Sequence, residues 1–139
     1  MRKIEEIIIH CADTPAGRDV RAEDIRSWHK NEHGWTDIGY HYIIDIDGTI
    51  EPGRDVATPG AHCSNHNAKS IGICYVGGRA KDSKDPEDTR TEEQKAALLS
   101  LLKYLVRKYP GAKIYGHKDF APKACPCFDA KTEYAELCE

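Results

Sequence analysis

The chain has 139 residues, of which 40% are hydrophobic and 31% are charged, a composition typical of a folded globular protein and not of a disordered one. Its 20 basic and 23 acidic residues give a net charge of −3, which excludes the basic field expected of a nucleic-acid-binding protein. No apolar run approaches the ~20 residues of a membrane span. We therefore expect a single domain over residues 1–139, with neither a nucleic-acid partner nor a membrane anchor.

The first half of the chain predicts a strand, a helix and a hairpin. Residues 4–10 are short and rich in isoleucine, which is typical of a buried strand that ends at His10. Residues 21–32 follow a helical pattern, which Gly34 ends. A strand that begins at Tyr40 then leads into an Asp-Gly turn and a returning strand, the usual signal of a hairpin.

The second half alternates in the same way. Residues 70–76 predict a second buried strand, and the charged residues 80–90 predict an exposed loop with little to hold it. A capping box at residues 91–94 begins a long amphipathic helix. Lys113 to Tyr115 predicts a short strand, and residues 129–137 predict a last short helix. This alternation favours an α/β fold with a mixed central sheet flanked by helices.

Three residues of metal-binding type stand out near the two ends of the chain. His10 ends the first predicted strand, and His117 and Cys125 belong to one motif near the C-terminus. Two histidines and a cysteine are ligands that zinc prefers, and three protein ligands with one open position are typical of a catalytic zinc site. A structural zinc would need a fourth ligand, and Cys127 is too close to Cys125 to be a comfortable one.

A nucleobase-deaminase site is excluded by its signature, because that site requires His-x-Glu and Pro-Cys-x-x-Cys. Here Cys11 and Ala12 follow the histidine, and the two late cysteines are separated by a single proline. We expect Cys11, Cys63 and Cys74 to be buried, reduced hydrophobic residues. The pairing of Cys127, with Cys138 or with another thiol, is left open.

The ordered motifs of the chain resemble those of a known family. They are Ile-Ile-Ile-His-Cys (7–11), Trp-His (28–29), Gly-Trp-Thr-Asp-Ile-Gly-Tyr-His (34–41), Asp-Gly-Thr-Ile-Glu-Pro-Gly-Arg (47–54), Gly-Ala-His (60–62), Asn-Ala-Lys-Ser-Ile-Gly-Ile (67–73) and the segment 117–125. In this order they resemble the zinc-dependent type-2 N-acetylmuramoyl-L-alanine amidases, the family of amidase-type phage lysozymes and peptidoglycan recognition proteins. The resemblance runs from residue 4 to about residue 129, nearly the whole chain.

The resemblance implies hydrolysis of the amide bond between N-acetylmuramic acid and the L-alanine of the peptidoglycan stem peptide. It implies that zinc is bound by His10, His117 and Cys125, and that Tyr40 and Lys123 are catalytic. It also implies that the substrate cleft is lined by His29, Gly34, Trp35 and His62. The Gly-Trp pair goes, in recognition proteins, with a preference for diaminopimelate in the stem. His33, His41 and His66 are expected to be surface or packing residues.

Two other functions remain open from the sequence. A non-catalytic module that recognises peptidoglycan is one, although such modules typically lose the cysteine ligand that this chain keeps at Cys125. A toxin-like effector delivered into rival cells, using the same chemistry, is the other. The first ten residues lack the apolar run of a secretory signal. We therefore expect a monomer made in the cytoplasm that acts at the cell wall after its release.

Overall fold

Isoleucine-rich strands form the centre of a mixed sheet in the computed structural model, which describes residues 2–138. The strands are β1 (Glu6–Cys11), β2 (Thr14–Pro15), β3 (Tyr42–Ile44), β4 (Ile50–Pro52), β5 (Ser70–Tyr75), β6 (Gly78–Arg79) and β7 (Lys113–Gly116). The helices are α1 (Ala22–His33), α2 (Glu92–Lys108) and α3 (Ala130–Glu133), with 3₁₀ turns at Asn67–Lys69, His117–Asp119 and Ala135–Cys138. The main sheet has the order β4-β3-β5-β1-β7, and β2 pairs with β6. This architecture confirms the predicted fold class.

The register of the central strands brings distant parts of the sequence to one edge of the sheet. β1 runs parallel to both β5 and β7, and Ile9 in β1 lies opposite Gly116 in β7. His10 and His117 each come one residue later, so both emerge at the carboxyl ends of neighbouring strands. Ligands of open α/β sheets bind at that edge.

The two faces of the sheet are covered by different helices, which makes the sheet a rigid support. On one face, α2 contributes Leu98, Leu102 and Leu105, all 0% exposed, to a cluster that includes isoleucines of β1 and β5. On the other face, Ile25 of α1 packs with Ile38 and with buried residues of β3 and β5. Each such side chain contributes about 1.5–3 kcal/mol through its burial.

The predicted helix limits are largely confirmed where a cap determines them. Gly34 caps α1 in the left-handed conformation, with φ 68°. The Thr91–Gln94 capping box begins α2. The predicted helix over residues 129–137 is wrong as one element: it is divided at Tyr134, whose side chain turns inward and receives a hydrogen bond from Arg90.

Two further sequence predictions are wrong in detail. The strand expected to begin at Tyr40 begins at Tyr42, although the His41 N–H already donates to the Gly72 carbonyl of β5 at 2.9 Å. β1 extends one residue beyond His10.

The loop over residues 80–90 is exposed through most of its length but is held firmly at its end. Arg90 is buried, forms ion pairs with Asp88 and Glu133 at 2.9 and 2.8 Å, and lies 3.4 Å above the Phe128 ring. The expectation that little holds this loop is therefore wrong at its C-terminal end. In residues 2–138, every helix falls short of the length and apolar character that crossing a bilayer requires.

Candidate active site

Three potential metal ligands converge at the carboxyl edge of the sheet. One ligand atom from each of His10, His117 and Cys125 lies within 4.8 Å of the others, and this is the only such group of three or more in residues 2–138. The rings of His10 and His117 have centroids 4.5 Å apart. The residues that the sequence singled out as a metal site are therefore adjacent in space.

Strand and loop backbone hold the cysteine in place. The Cys11 N–H donates to Cys125 Sγ at 3.2 Å, and the Lys118 N–H donates to the Cys125 carbonyl at 2.8 Å. The loop that follows β7 is therefore tied both to itself and to β1. The sulfur atom is thereby fixed in position at the end of β1.

The chemistry of this donor set fits zinc. Two imidazoles and one thiolate suit a borderline-soft divalent ion, and three ligands leave a fourth tetrahedral position for a reactant. Burial, and next the proximity of His62, lower the pKa of His10 well below its usual value. Burial also lowers the pKa of His117. Both imidazoles are therefore neutral at physiological pH, as metal binding requires.

Tyr40 and Lys123 lie beside this group. The ring centroid of Tyr40 is 5.1 Å from that of His10 and 5.5 Å from that of His29. Burial raises the pKa of the Tyr40 hydroxyl well above its usual value, so the hydroxyl is protonated and able to donate. Lys123 is exposed, and its charge is the second cause, after burial, of the lowered pKa of His117.

The metal-ligand group lies where two grooves join. One groove, of about 760 Å³, is lined by residues that include Trp28, His29, Tyr40 and Cys125. The other, of about 400 Å³, is lined by residues that include Trp35, His62, Asn67 and Phe120. His117 and Lys123 line both grooves. An elongated substrate could therefore lie across the group with a part in each groove.

The four residues expected to bind substrate have different positions. His29 and Trp35 line the grooves, with ring centroids 4.9 Å apart. Gly34 ends α1 and turns the chain toward Trp35. His62 reaches the smaller groove but is only 9% exposed, because its ring packs against the backbone of Gly60 and Gly72 and meets the His10 ring edge-on.

Sequence reasoning missed the contacts beneath the ligands. Ser70 bonds to the His62 ring, and Cys11 supports Cys125 through its backbone. All six cysteines are free thiols, and Cys127 Sγ lies 4.0 Å from Cys11 Sγ. The burial predicted for Cys11, Cys63 and Cys74 is confirmed. The only sequence signal for the role of Cys11 is that it follows His10.

Comparisons with known proteins agree with this geometry. The family model described as N-acetylmuramoyl-L-alanine amidase matches residues 1–128. The endolysin of Klebsiella phage KP32 is 48% identical over 131 residues, which cover 94% of this chain and 85% of the relative. Among solved structures, the N-acetylmuramoyl-L-alanine amidase LysC from Clostridium intestinale superposes with a TM-score of 0.81 at 30% identity, covering 98% of this chain and 86% of the other. Drosophila PGRP-LB superposes with a TM-score of 0.79 at 28% identity, covering 97% and 81%.

Proposed function

Since the chain belongs to the N-acetylmuramoyl-L-alanine amidase family and is a peptidoglycan-hydrolysing enzyme of that family, we propose that it uses a zinc ion held by His10, His117 and Cys125. The bond that it cleaves joins N-acetylmuramic acid to the L-alanine of the stem peptide. The observation that most directly supports the zinc site is the convergence of three ligand atoms, within 4.8 Å of one another, where the two grooves join. We place its action at the cell wall, after release from the cytoplasm.

The metal and its ligands have distinct tasks. When bound, zinc supplies Lewis acidity, which activates water for attack and polarises the scissile carbonyl. His10 and His117 offer neutral imidazole nitrogens at the ends of two adjacent parallel strands. Cys125 offers sulfur, and the N–H that Cys11 donates to it stabilises negative charge there.

Tyr40 and Lys123 act on the reacting groups in this proposal. The Tyr40 hydroxyl, which is protonated at neutral pH, orients the attacking water or relays a proton to the departing amine. The ammonium of Lys123, exposed at the junction of the grooves, stabilises the negative charge that develops on the carbonyl oxygen.

The groove walls position the substrate. The Gly39 N–H donates to His29 Nδ1 at 2.9 Å, so neutral His29 carries its own proton on Nε2 and can donate it to a substrate oxygen. Burial lowers the pKa of His29 to about 4, which keeps the ring neutral. Trp35, stacked on His33 with centroids 4.5 Å apart, gives the smaller groove a flat apolar wall.

Digestion of purified diaminopimelate-type peptidoglycan, with products identified by mass spectrometry, tests the proposal. We expect release of stem peptides that begin with L-alanine, loss of release with a chelator, and recovery with added zinc. Cys125→Ala should abolish release, whereas the matched control Cys138→Ala, a free thiol distant from the ligand group, should not. Chelator-resistant release would refute the zinc requirement. Binding to peptidoglycan without any release would instead indicate a recognition module.

A further inference from the structure

His62 lies directly behind the proposed ligand His10 and connects it to the interior of the sheet. His10 Nε2 and His62 Nδ1 are 2.9 Å apart, and His62 Nε2 lies 3.1 Å from Ser70 Oγ. The exposed fractions of His10, His62 and Ser70 are 1%, 9% and 0%. The three side chains therefore form a line of hydrogen bonds with almost no access to water.

The surrounding backbone packs closely against the His62 ring. A Cβ on Gly72 would lie 2.6 Å from His62 Cγ, and a Cβ on Gly60 would lie 2.7 Å from His62 Cδ2. Only glycine at these two positions makes room for the ring. The Asn67 side-chain oxygen accepts hydrogen bonds from the backbone N–H groups of His62 and Cys63, both at 3.0 Å. The backbone of His62 is therefore fixed by Asn67, and its ring is fixed by the packing against Gly60 and Gly72.

The direction of these hydrogen bonds follows from the requirement that a metal-binding histidine keep one ring nitrogen without a proton. A neutral imidazole carries one proton, and the nitrogen that binds a metal must have a free lone pair. Since His10 Nε2 is engaged by His62, Nδ1 is the nitrogen left for the metal, and the proton must lie on Nε2. That proton is donated to His62 Nδ1, and His62 in turn donates from Nε2 to Ser70 Oγ. The reverse direction would place the proton on His10 Nδ1 and block the ligand position.

We propose that His62 and Ser70 are positioning residues that hold His10 in the Nε2–H tautomer and in one ring orientation, and thereby set the affinity of the site for zinc. This inference rests on the zinc site proposed above. Groups that orient a metal-binding histidine typically change metal affinity by about 10–100-fold when they are removed. His62 therefore acts through His10, and its main effect is on metal retention.

Zinc affinity, measured on the full chain by competition with a chromophoric chelator, provides the test. His62→Phe keeps the ring shape without an acceptor, and we expect it to weaken zinc binding by about 10–100-fold. His62→Asn, whose side-chain oxygen can replace Nδ1 as the acceptor, should recover most of that loss. The zinc affinity of Ser70→Ala should lie between those of His62→Phe and His62→Asn. His33→Phe, the same change at an exposed histidine that stacks on Trp35, should leave zinc affinity unchanged.

Each outcome decides the question. If His62→Phe is folded and binds zinc as tightly as the unmodified protein, the inference is wrong. If His62→Phe does not fold, heteronuclear NMR of the histidine rings in the unmodified protein decides: a proton on His62 Nε2 supports the inference and a proton on His62 Nδ1 overturns it. If the unmodified protein binds no zinc, the proposal that zinc is its cofactor is wrong. The tautomer of His62 in the metal-free protein then tests the positioning role separately.

Discussion

Gly72→Ala is a small change that should disturb the metal site without touching any ligand. Gly72 lies in the middle of β5, and a Cβ there would lie 2.6, 2.7 and 2.9 Å from three atoms of the His62 ring. Non-bonded carbon atoms approach comfortably to about 3.5 Å, so the ring must retreat by roughly 1 Å. Such a shift would break the contact of 2.9 Å with His10. Alanine itself fits a strand, so the effect comes from the clash.

The expected loss of stability in Gly72→Ala follows from the tight packing around the His62 ring. An extra methyl group in a filled interior costs about 1–3 kcal/mol of the free energy of unfolding. For 139 residues the entropy of unfolding is ~0.3 kcal/mol per kelvin, so the melting temperature should fall by about 3–10 °C. Zinc affinity should fall by about 10-fold or more, because the hydrogen bond that orients His10 is lost.

Calorimetry measures the fall in melting temperature, and chelator competition measures the fall in zinc affinity. A substitution at a second glycine, Gly111, serves as a control that should lower stability alone. Gly111 has φ +91°, and no atom lies within 4 Å of the position that a Cβ would take there. Gly111→Ala should therefore destabilise the fold by about 1–2 kcal/mol through left-handed strain. Gly111 precedes the amino end of β7, whereas the proposed zinc site lies beyond the carboxyl end of the same strand. Zinc affinity should therefore not change in this variant. A Gly72→Ala protein with unchanged melting temperature and zinc affinity would refute the reasoning.

Three other perturbations test separate parts of the molecule. Cys125→Ala should remove zinc and activity together, because a thiolate ligand is lost; stoichiometric zinc retained in the dialysed variant would exclude Cys125 as a ligand. Tyr40→Phe should keep zinc but slow turnover by about 10²–10⁴-fold if the hydroxyl transfers a proton; unchanged turnover would leave Tyr40 a packing role only. Burial, and next the neighbouring carboxyl group of Glu51, raise the pKa of Asp45 to about 7 from 3.8, although the ion pair with Arg21 acts in the opposite direction. The folded state thus holds a proton that the unfolded state releases, and the free energy of unfolding should fall between pH 4 and 7 by up to ~1.4 kcal/mol per pH unit. Asp45→Asn should flatten that slope in urea titrations, and an unaltered slope would show that another group is responsible.

Local sequence patterns were sufficient for most of the elements. The isoleucine run of β1, the capping box of α2 and the glycine that ends α1 act within a few residues of the chain, so their effects can be read without knowing the fold. The chemistry of two histidines and a cysteine similarly indicates a metal, and their order with the surrounding motifs indicates the family.

Contacts between distant residues decided the rest. His62 is 52 positions from His10 and 8 from Ser70, and it lies in the segment before β5, the strand that pairs in parallel with β1. The burial of Arg90 depends on Glu133, which is 43 positions away. No local pattern encodes such pairs, because each depends on where two separate segments are placed by the packing of the whole sheet. The sequence therefore determined which residues are of metal-binding type, and the tertiary structure decided which nitrogen of the His10 ring contacts His62 and what holds the His62 ring in place.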